Sequence, residues 1–600
     1  MIERDNTPTR RHALNLPWPL AVIAVVTVLS LWATSAWAGD YHYVRPKAAT
    51  SYGTGDGSSH TNAWNGFADI EWGDVGAGSD KMKPGDVLYI CGTHRYDDMM
   101  DATNTRRYAL VIPPGSPTAW TYIRGNYPGD PGVIDGAVPC RTTDPGDTDP
   151  WQLHQDLGNG EKIWRYNTQR DTGYGQFDGR ALFDSDGHQL LIASSAACDD
   201  GAWFKDVNHN ADPLPDLNNG GANVGFAYWI FYKTTDGQSP NSLGLSYSRI
   251  NQAIRIVDRC RLYIQDITVR HCQSYAFAEG GNGAIFVHGT TVPTQAKNMR
   301  IQRCVVEDCW HNAIYVKNGS VISVENCNIT RCGTGVYFAG LTNSPEPTGG
   351  TTLSTIKDCV ISDIALYDRY AGDHYGIAIG SSGRNTNNDV LRNTVTRVGS
   401  AANSEVAWDA ACAGWRANYT TWDGNIIHDN WGGGLNLGYD CGGSIAQNNY
   451  IYNNGNETPT TSYIVHRGGI AMGSRHDEDN DATVYITNNF IANNLCGNPP
   501  NPQGQIWGYN AANSPDGVPS IVVMQGNTIW TTLDTRALVQ PATGYVTSNS
   551  NTFIVPGIFS DLFRYGLITY SADEFANYQT ASGQDANSTI TVTSNPPTLP

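Results

Sequence analysis

Residues 299–309 read MRIQRCVVEDC and are followed at 312–317 by NAIYVK; residues 322–332 read ISVENCNITRC and are followed at 335–338 by GVYF. The same short phrase is written twice, with Cys304 and Cys327 standing 23 residues apart. Within each copy apolar and polar residues alternate, which is the period of a strand with one face turned inward. A unit this short cannot bury its own apolar face and has to stack on copies of itself. The reading is a coiled β solenoid with about three short strands per turn.

The frame continues downstream. Corner residues recur at Cys304, Cys327, Cys359, Asn393, Asn425, Asn449, Asn489 and Asn527, at intervals of 23 to 40 residues. Such spacing fits a constant coil with loops of different length inserted at its corners. A second marker follows five residues later, at Cys309, Cys332, Asn430, Asn454 and Asn494. Inward asparagines stacked about 4.8 Å apart form amide ladders that satisfy otherwise buried polar groups. Leucine-rich repeats are disfavoured because no LxxLxL phrase recurs, and a propeller because the period is too short.

Composition agrees with a β-rich, turn-rich chain: 64 glycines and only 16% charged residues in 600. The formal charge of −19 argues against nucleic acid or an anionic membrane as a partner. A polyanionic substrate held in a local basic groove is compatible with it. Residues 1–38 read as a signal peptide: Arg10 and Arg11 precede the apolar run 20–32, and AWA at 36–38 offers a cleavage site after Ala38. The expectation is a secreted or periplasmic protein with no membrane contact once the leader is removed. Of the thirteen cysteines, the five at ladder positions are expected to be buried and unpaired, and Cys412 with Cys441 is the best candidate for a bridge between loops. No Cys/His spacing suggests zinc.

Before the repeats, residues 41–44 (YHYV) read as a strand, and residues 62–64 (NAW) open an amphipathic helix or capping segment. Residues 83–91 (KPGDVLYIC) give a turn and a strand, and residues 120–136 (WTYIRGNYPGDPGVIDG) two strands around a turn. These phrases resemble the first coils of the pectate-lyase-like superfamily of right-handed parallel β-helix proteins, in which PGDx[LI]Y and IxGxPGDPxVIDG recur. The resemblance covers most of residues 41–540 and implies an all-β fold, a right-handed parallel β-helix. It is silent on the reaction, since the superfamily includes lyases, glycoside hydrolases, epimerases and non-catalytic proteins. The organisation expected is a signal peptide (1–38), an N-terminal cap with first coils (39–139), an inserted β-rich subdomain (140–245), the main helix (246–540), and a C-terminal cap (541–600) whose last dozen residues are disordered.

Aligning the coils places one strand of each at 284–288, 313–317, 335–339, 376–380, 434–438 and 469–473. Alternation points Phe286, His288, Tyr315, Lys317, Tyr337, Ala378, Asn436 and Ala471 outward, onto the floor of a groove. Polar residues crowd the strand ends: Asp373, His374, Asp409, Arg416, Asp440, His466, Arg467, Arg475 and His476, with Trp431 beside them. Residues 374–381 (HYGIAIGS) resemble the GHG[IL]SIGS phrase of polygalacturonases, which makes His374 a catalytic candidate. The paired aspartates of that family are missing from the preceding coil, so its mechanism is not carried over.

Two chemistries compete for this groove. Elimination from a uronic acid needs a cation for the carboxylate and a base for the C5 proton. Lys317, Arg416, Arg467 and Arg475 are candidates for either task, and His374 and Tyr337 for the base. Hydrolysis needs two carboxylates about 5–9.5 Å apart, for which Asp373, Asp409 and Asp440 are candidates. His288, Tyr315, Asn436, Trp431 and His476 are expected to bind substrate. Asp477, Asp479 and Asp481 offer alternating carboxylates to Ca²⁺, a frequent cofactor of lyases in the superfamily, although the EF-hand pattern fails at Ala482. The expected activity is cleavage of a polysaccharide, with elimination ahead of hydrolysis and non-catalytic binding as a third reading.

Overall fold

The computed structural model describes residues 39–73, 78–95, 98, 108–115, 117–140, 151–158, 160–167, 182–185, 190, 203–206, 229–234, 236, 238–273, 283–290, 296–340, 349–365, 374–380, 385–399, 410–438, 441–455, 468–475, 483–494, 504–508, 518–519, 521–531, 536–540, 546–557, 561–566 and 568–595. Three long sheets of 14, 13 and 13 strands run side by side, each visited once per coil. One coil shows the route. Ala296–Gln302 lies in the first sheet, Val305–Glu307 in the second and Asn312–Lys317 in the third, and the next coil repeats it with Gly319–Glu325, Asn328–Thr330 and Thr334–Ala339. Pairing between coils is parallel and in register, as in Met299↔Ile322 and Ile314↔Val336. The chain is a right-handed parallel β-helix.

The corners follow from local chemistry. Between first and second sheets the chain turns on one left-handed residue, such as Asp266, Arg303, Asn326, Asp358, Arg392 or Asn448, with φ between 52° and 58°. The next residue points inward and belongs to the ladder. Asn393, Asn425, Asn449, Asn489, Asn527 and Asn551 form a continuous column, each donating its backbone N–H and side-chain amide to the Oδ1 of the next at 2.9–3.0 Å. A second column runs Asn430, Asn454, Asn494 and ends on Gln505. Upstream, Cys304, Cys327 and Cys359 hold the first column, all buried, and their thiols donate to carbonyls such as Ile301 O at 3.7 Å. The sequence reading of both ladders holds, and Asn551 extends the first by one coil.

Other expectations change. Cys412 and Cys441 are both buried and do not form the expected bridge with each other. Cys412 faces the core from the strand Ala410–Gly414, and the Cys441 thiol donates to Gly414 O at 3.2 Å. The bounds of that strand are absent from the aligned set above, because AACAG carries no large apolar residue, although Asn393 and Asn425 mark its coil and Asp409 and Arg416 were expected to flank it. Residues 62–64 begin no α-helix: His60–Asn62 is a 3₁₀ turn capped by Ser59, and Trp64–Asn65 pairs along the first strand, Tyr41–Arg45. The segment still closes that end, with Trp64 buried. Within 140–245, Trp151–Gly158, Glu161–Asn167, Trp203–Asp206 and Trp229–Thr234 form a four-stranded antiparallel sheet. Coils persist past residue 530, and Thr589–Val592, inside the stretch expected to be disordered, is the last strand of the second sheet.

Candidate functional site

The third sheet carries the site. Its inward column, Ile285, Ile314, Val336, Ile377, Cys412, Leu435 and Ile470, is in register from coil to coil and lies in the core. The outward column beside it is Phe286, Tyr315, Tyr337, Ala378, Ala413, Asn436 and Ala471. This is the expected floor with one coil added. Five coil steps separate Phe286 from Asn436, about 24 Å at the usual strand spacing.

Aromatic rings occupy one end of this floor. Phe286 and Tyr315 stack at 5.8 Å, and Tyr337 meets Tyr315 edge-on at 5.2 Å. Ala378 and Ala413 then keep the floor low, with Tyr337, Tyr375 and Trp415 packed around them. Tyr375 and Trp415 meet edge-on at 4.8 Å. Trp415 is fixed by glycine: a Cβ on Gly438 would lie 2.2 Å from the indole Cδ1. The sequence reading named neither Tyr375 nor Trp415, and the usable signal was the Trp one residue past an Ala/Gly strand.

Although these side chains face away from the coil interior, they are hidden from solvent. Tyr315 is 8% exposed, Lys317 4% and Asn436 0%. Burial pushes the Tyr315 phenol up, well above the usual tyrosine range, so it stays protonated. Burial also lowers the pKa of Lys317, because the ammonium loses water. Lys317 lies in register with His288 of the preceding coil and Ala339 of the following one. Among the described residues neither the amide N nor the amide O of Asn436 has a hydrogen-bond partner. The Trp431 indole N–H is also buried without an acceptor among the described residues, at the corner before Gly433–Leu437.

His374 immediately precedes the strand Tyr375–Gly380 and is 4% exposed. Its Nδ1 lies 3.1 Å from Gly333 O. A carbonyl only accepts, so Nδ1 carries the proton and Nε2 is the basic nitrogen. Arg416 is not beside it. The register pairs Tyr375 with Ala410, so Arg416, six residues further on, sits past the other end of the sheet. There it forms an exposed left-handed corner (φ 49°), and its carbonyl accepts from Asn385 N at 2.9 Å. Arg416 thus flanks the strand Ala410–Gly414 at the end away from His374. Arg475 lies in the short strand Ser474–Arg475, antiparallel to Val518–Pro519. Asp373, Asp409, Asp440, His466, Arg467 and His476, with the calcium candidates Asp477, Asp479 and Asp481, fall outside the described residues.

Residues 244–408 match the family model described as "Right handed beta helix region". That description agrees with the fold observed over these residues, a right-handed parallel β-helix. The xylose complex of XylC is similar to this chain at 11% identity, over 93% of this chain and 86% of that one, with a TM-score of 0.56. The A-module of the mannuronan C-5 epimerase AlgE6 from Azotobacter vinelandii matches at 11% identity over 86% and 91%, TM-score 0.37. The GH136 lacto-N-biosidase from Eubacterium ramulus matches at 11% over 96% and 72%, TM-score 0.40. No curated protein matches in sequence. Among the described residues no helix is long and apolar enough to cross a membrane.

Proposed function

We propose that this chain is an exported carbohydrate-active enzyme that binds a polysaccharide along the outer face of the third sheet and cleaves it by β-elimination at a uronic acid. The observation that carries the binding is Asn436. A fully buried amide with no partner for either polar atom costs about 1–3 kcal/mol. A ligand offering both a donor and an acceptor at one spot, as vicinal sugar hydroxyls do, recovers that cost. The ring row Phe286, Tyr315 and Tyr337 supplies apolar faces of the kind sugar rings stack on. The similarly folded XylC is a protein whose structure holds xylose, which supports the substrate class.

The lyase reading rests on Lys317. With its pKa lowered by burial, more of it is free amine, the form that accepts the C5 proton. The C5–H electron pair forms the C4=C5 bond and the C4–O bond breaks toward the leaving oxygen. In this reading Tyr337, part exposed beside Tyr315, protonates that oxygen. His288, protonated, or Arg467 neutralises the carboxylate and makes C5–H acidic.

The mature protein is incubated with acidic and neutral polysaccharides, following ultraviolet absorbance of unsaturated ends alongside reducing ends. Both signals together support elimination. Reducing ends without unsaturation overturn it in favour of hydrolysis, and neither signal, with binding retained, leaves a binding protein. Asn436→Ala is expected to fold as well as the parent and to bind oligosaccharide at least tenfold more weakly. Undiminished affinity would remove Asn436 from the site.

A further inference from the structure

A second cluster lies at the opposite end of the molecule from Asn436 and plays no part in the trough. His60 in the capping 3₁₀ turn, Cys91 just after the strand Val87–Ile90, and Asp130 in the turn between Thr121–Arg124 and Val133–Asp135 come together. One ligand atom from each lies within 4.8 Å of the other two. We propose that these three residues bind a divalent zinc ion that staples the N-terminal cap to the first two coils.

The donor set argues for zinc. Thiolate, imidazole and carboxylate together suit a borderline-soft ion, whereas calcium and magnesium take oxygen alone. A tetrahedral ion with bonds of about 2.0–2.3 Å holds its ligand atoms roughly 3.3–3.8 Å apart, which small side-chain movements reach from the present cluster. His60 Nε2 is 2.9 Å from Asp130 Oδ2, and the Cys91 thiol lies 3.8 Å from Tyr89 O. The backbone brings the ligands together before any ion arrives. Gly92, at φ 77°, donates to Asp130 O at 3.3 Å, and a Cβ there would meet Asp130 Oδ1 at 3.2 Å and Pro46 at 3.1 Å. Tyr127 stacks on the His60 ring at 4.6 Å and sets its plane.

Cys91 is buried while His60 and Asp130 are about a quarter to a third exposed, so the cluster has a protein side and a solvent side. The fourth position falls to water. Arg45 approaches Asp130 Oδ2 at 3.8 Å, beyond hydrogen-bond reach, and its guanidinium lies over Tyr52. Binding exchanges the thiol proton for the ion: Cys–SH and Zn²⁺ give Cys–S⁻–Zn²⁺ and one H⁺ released to buffer. Sequence spacing gave no hint, because the three residues are 31 and 39 positions apart and only the coil stacking unites them.

The test uses the tag-free mature chain, stripped with chelator and titrated with ZnCl₂ and with CoCl₂. Wild type is expected to take one zinc that the Cys91→Ser/His60→Gln double variant does not, with buffer-dependent heat from the released proton. Cobalt should give a thiolate-to-metal charge-transfer band in wild type and none in Cys91→Ser. Asp130→Asn should weaken zinc at least tenfold. Zinc should raise the melting temperature of wild type alone. Should Cys91→Ser misfold by circular dichroism, His60→Gln alone reads the loss. Equal zinc stoichiometry and affinity in wild type and the double variant, or a cobalt complex without the thiolate band, overturns the proposal and leaves the trough reading untouched.

Discussion

Lys317 shows how one side chain links burial, pH and chemistry. Its folded pKa is lowered by desolvation, while the unfolded value is the usual one near 10.5. Below the folded pKa both states hold the proton, and the folded state carries a constant desolvation cost. Between the two values the unfolded chain binds a proton the folded one has released, so stability rises with pH across that window. Lys317→Met is therefore expected to melt higher than wild type at pH 7, by an amount on the order of 1 kcal/mol, with the gap narrowing as pH approaches 10. Calorimetry at both pH values reads this, and parallel pH–stability curves for the two proteins would contradict it. Activity runs the other way. Only the free amine abstracts a proton, so wild-type turnover should climb with pH below the lysine pKa while Lys317→Met shows none.

At the scale of the coil, the inward ladder and the outward corner pairs have unequal energetic weight. Asn449 accepts two hydrogen bonds from Asn425 at 2.9 Å and donates to Asn489 Oδ1 and Trp422 O, also at 2.9 Å, with no water to replace it. Asn449→Ala strands several buried groups and is expected to cost about 3 kcal/mol or more by denaturant titration; a loss below about 1 kcal/mol would mean the ladder is decorative. The corner ion pairs separate by burial. Arg392 and Arg331 share the left-handed conformation, and each grips the Asp of the preceding coil through two hydrogen bonds. Asp358 beside Arg392 is one-third exposed, whereas Asp308 beside Arg331 is 4% exposed. Arg392→Ala should cost much less than Arg331→Ala, which should cost about 2 kcal/mol or more, because only the latter leaves a buried carboxylate unpaired. The backbone cost is the same in both, so the difference isolates the ion pair.

The same contrast explains what could be read from the chain as letters. Asn and Cys at ladder corners are chemically marked and recur, so the coil count from 299 to 527 was nearly complete. The strand Ala410–Gly414 was marked only by its flanks, Asp409 and Arg416, because its inward residues are small. The floor was legible through alternation, since Tyr315, Tyr337 and Asn436 follow the period of two. The packing of Tyr375 and Trp415 around Ala378 and Ala413 was not, because it depends on side chains from neighbouring coils. The zinc cluster was hidden for a third reason, having no local spacing at all.

For the whole molecule the governing problem is that a stack has two open ends. At the C-terminal end the Asn column runs from Asn527 into Asn551 and then onto Asp585, which is buried and accepts from Ser548, Asn551, Ser588 and Tyr578. The α-helix Phe575–Ser582 lays Phe575 and Tyr578 against Phe563, with ring centroids at 5.1 and 4.7 Å, and Phe575 against Phe553 at 5.7 Å. Thr589–Val592 then covers the last strand, Thr552–Val555, in register. The helix and strand together remove an aromatic face and a bare strand edge, the two features that make solenoid ends associate. A chain ending at residue 566 loses all of these covers at once and leaves Phe553, Phe563 and the edge of Thr552–Val555 open. It is expected to self-associate in light scattering and to unfold at lower temperature, whereas Asp585→Ala, which keeps the plug but removes the acceptor shared by Ser548, Asn551, Ser588 and Tyr578, should remain monomeric with only the lower melting temperature. Should the truncated chain stay monomeric and melt with the parent, closure of this end by the plug would be refuted, and the coils would have to be stable without a cover.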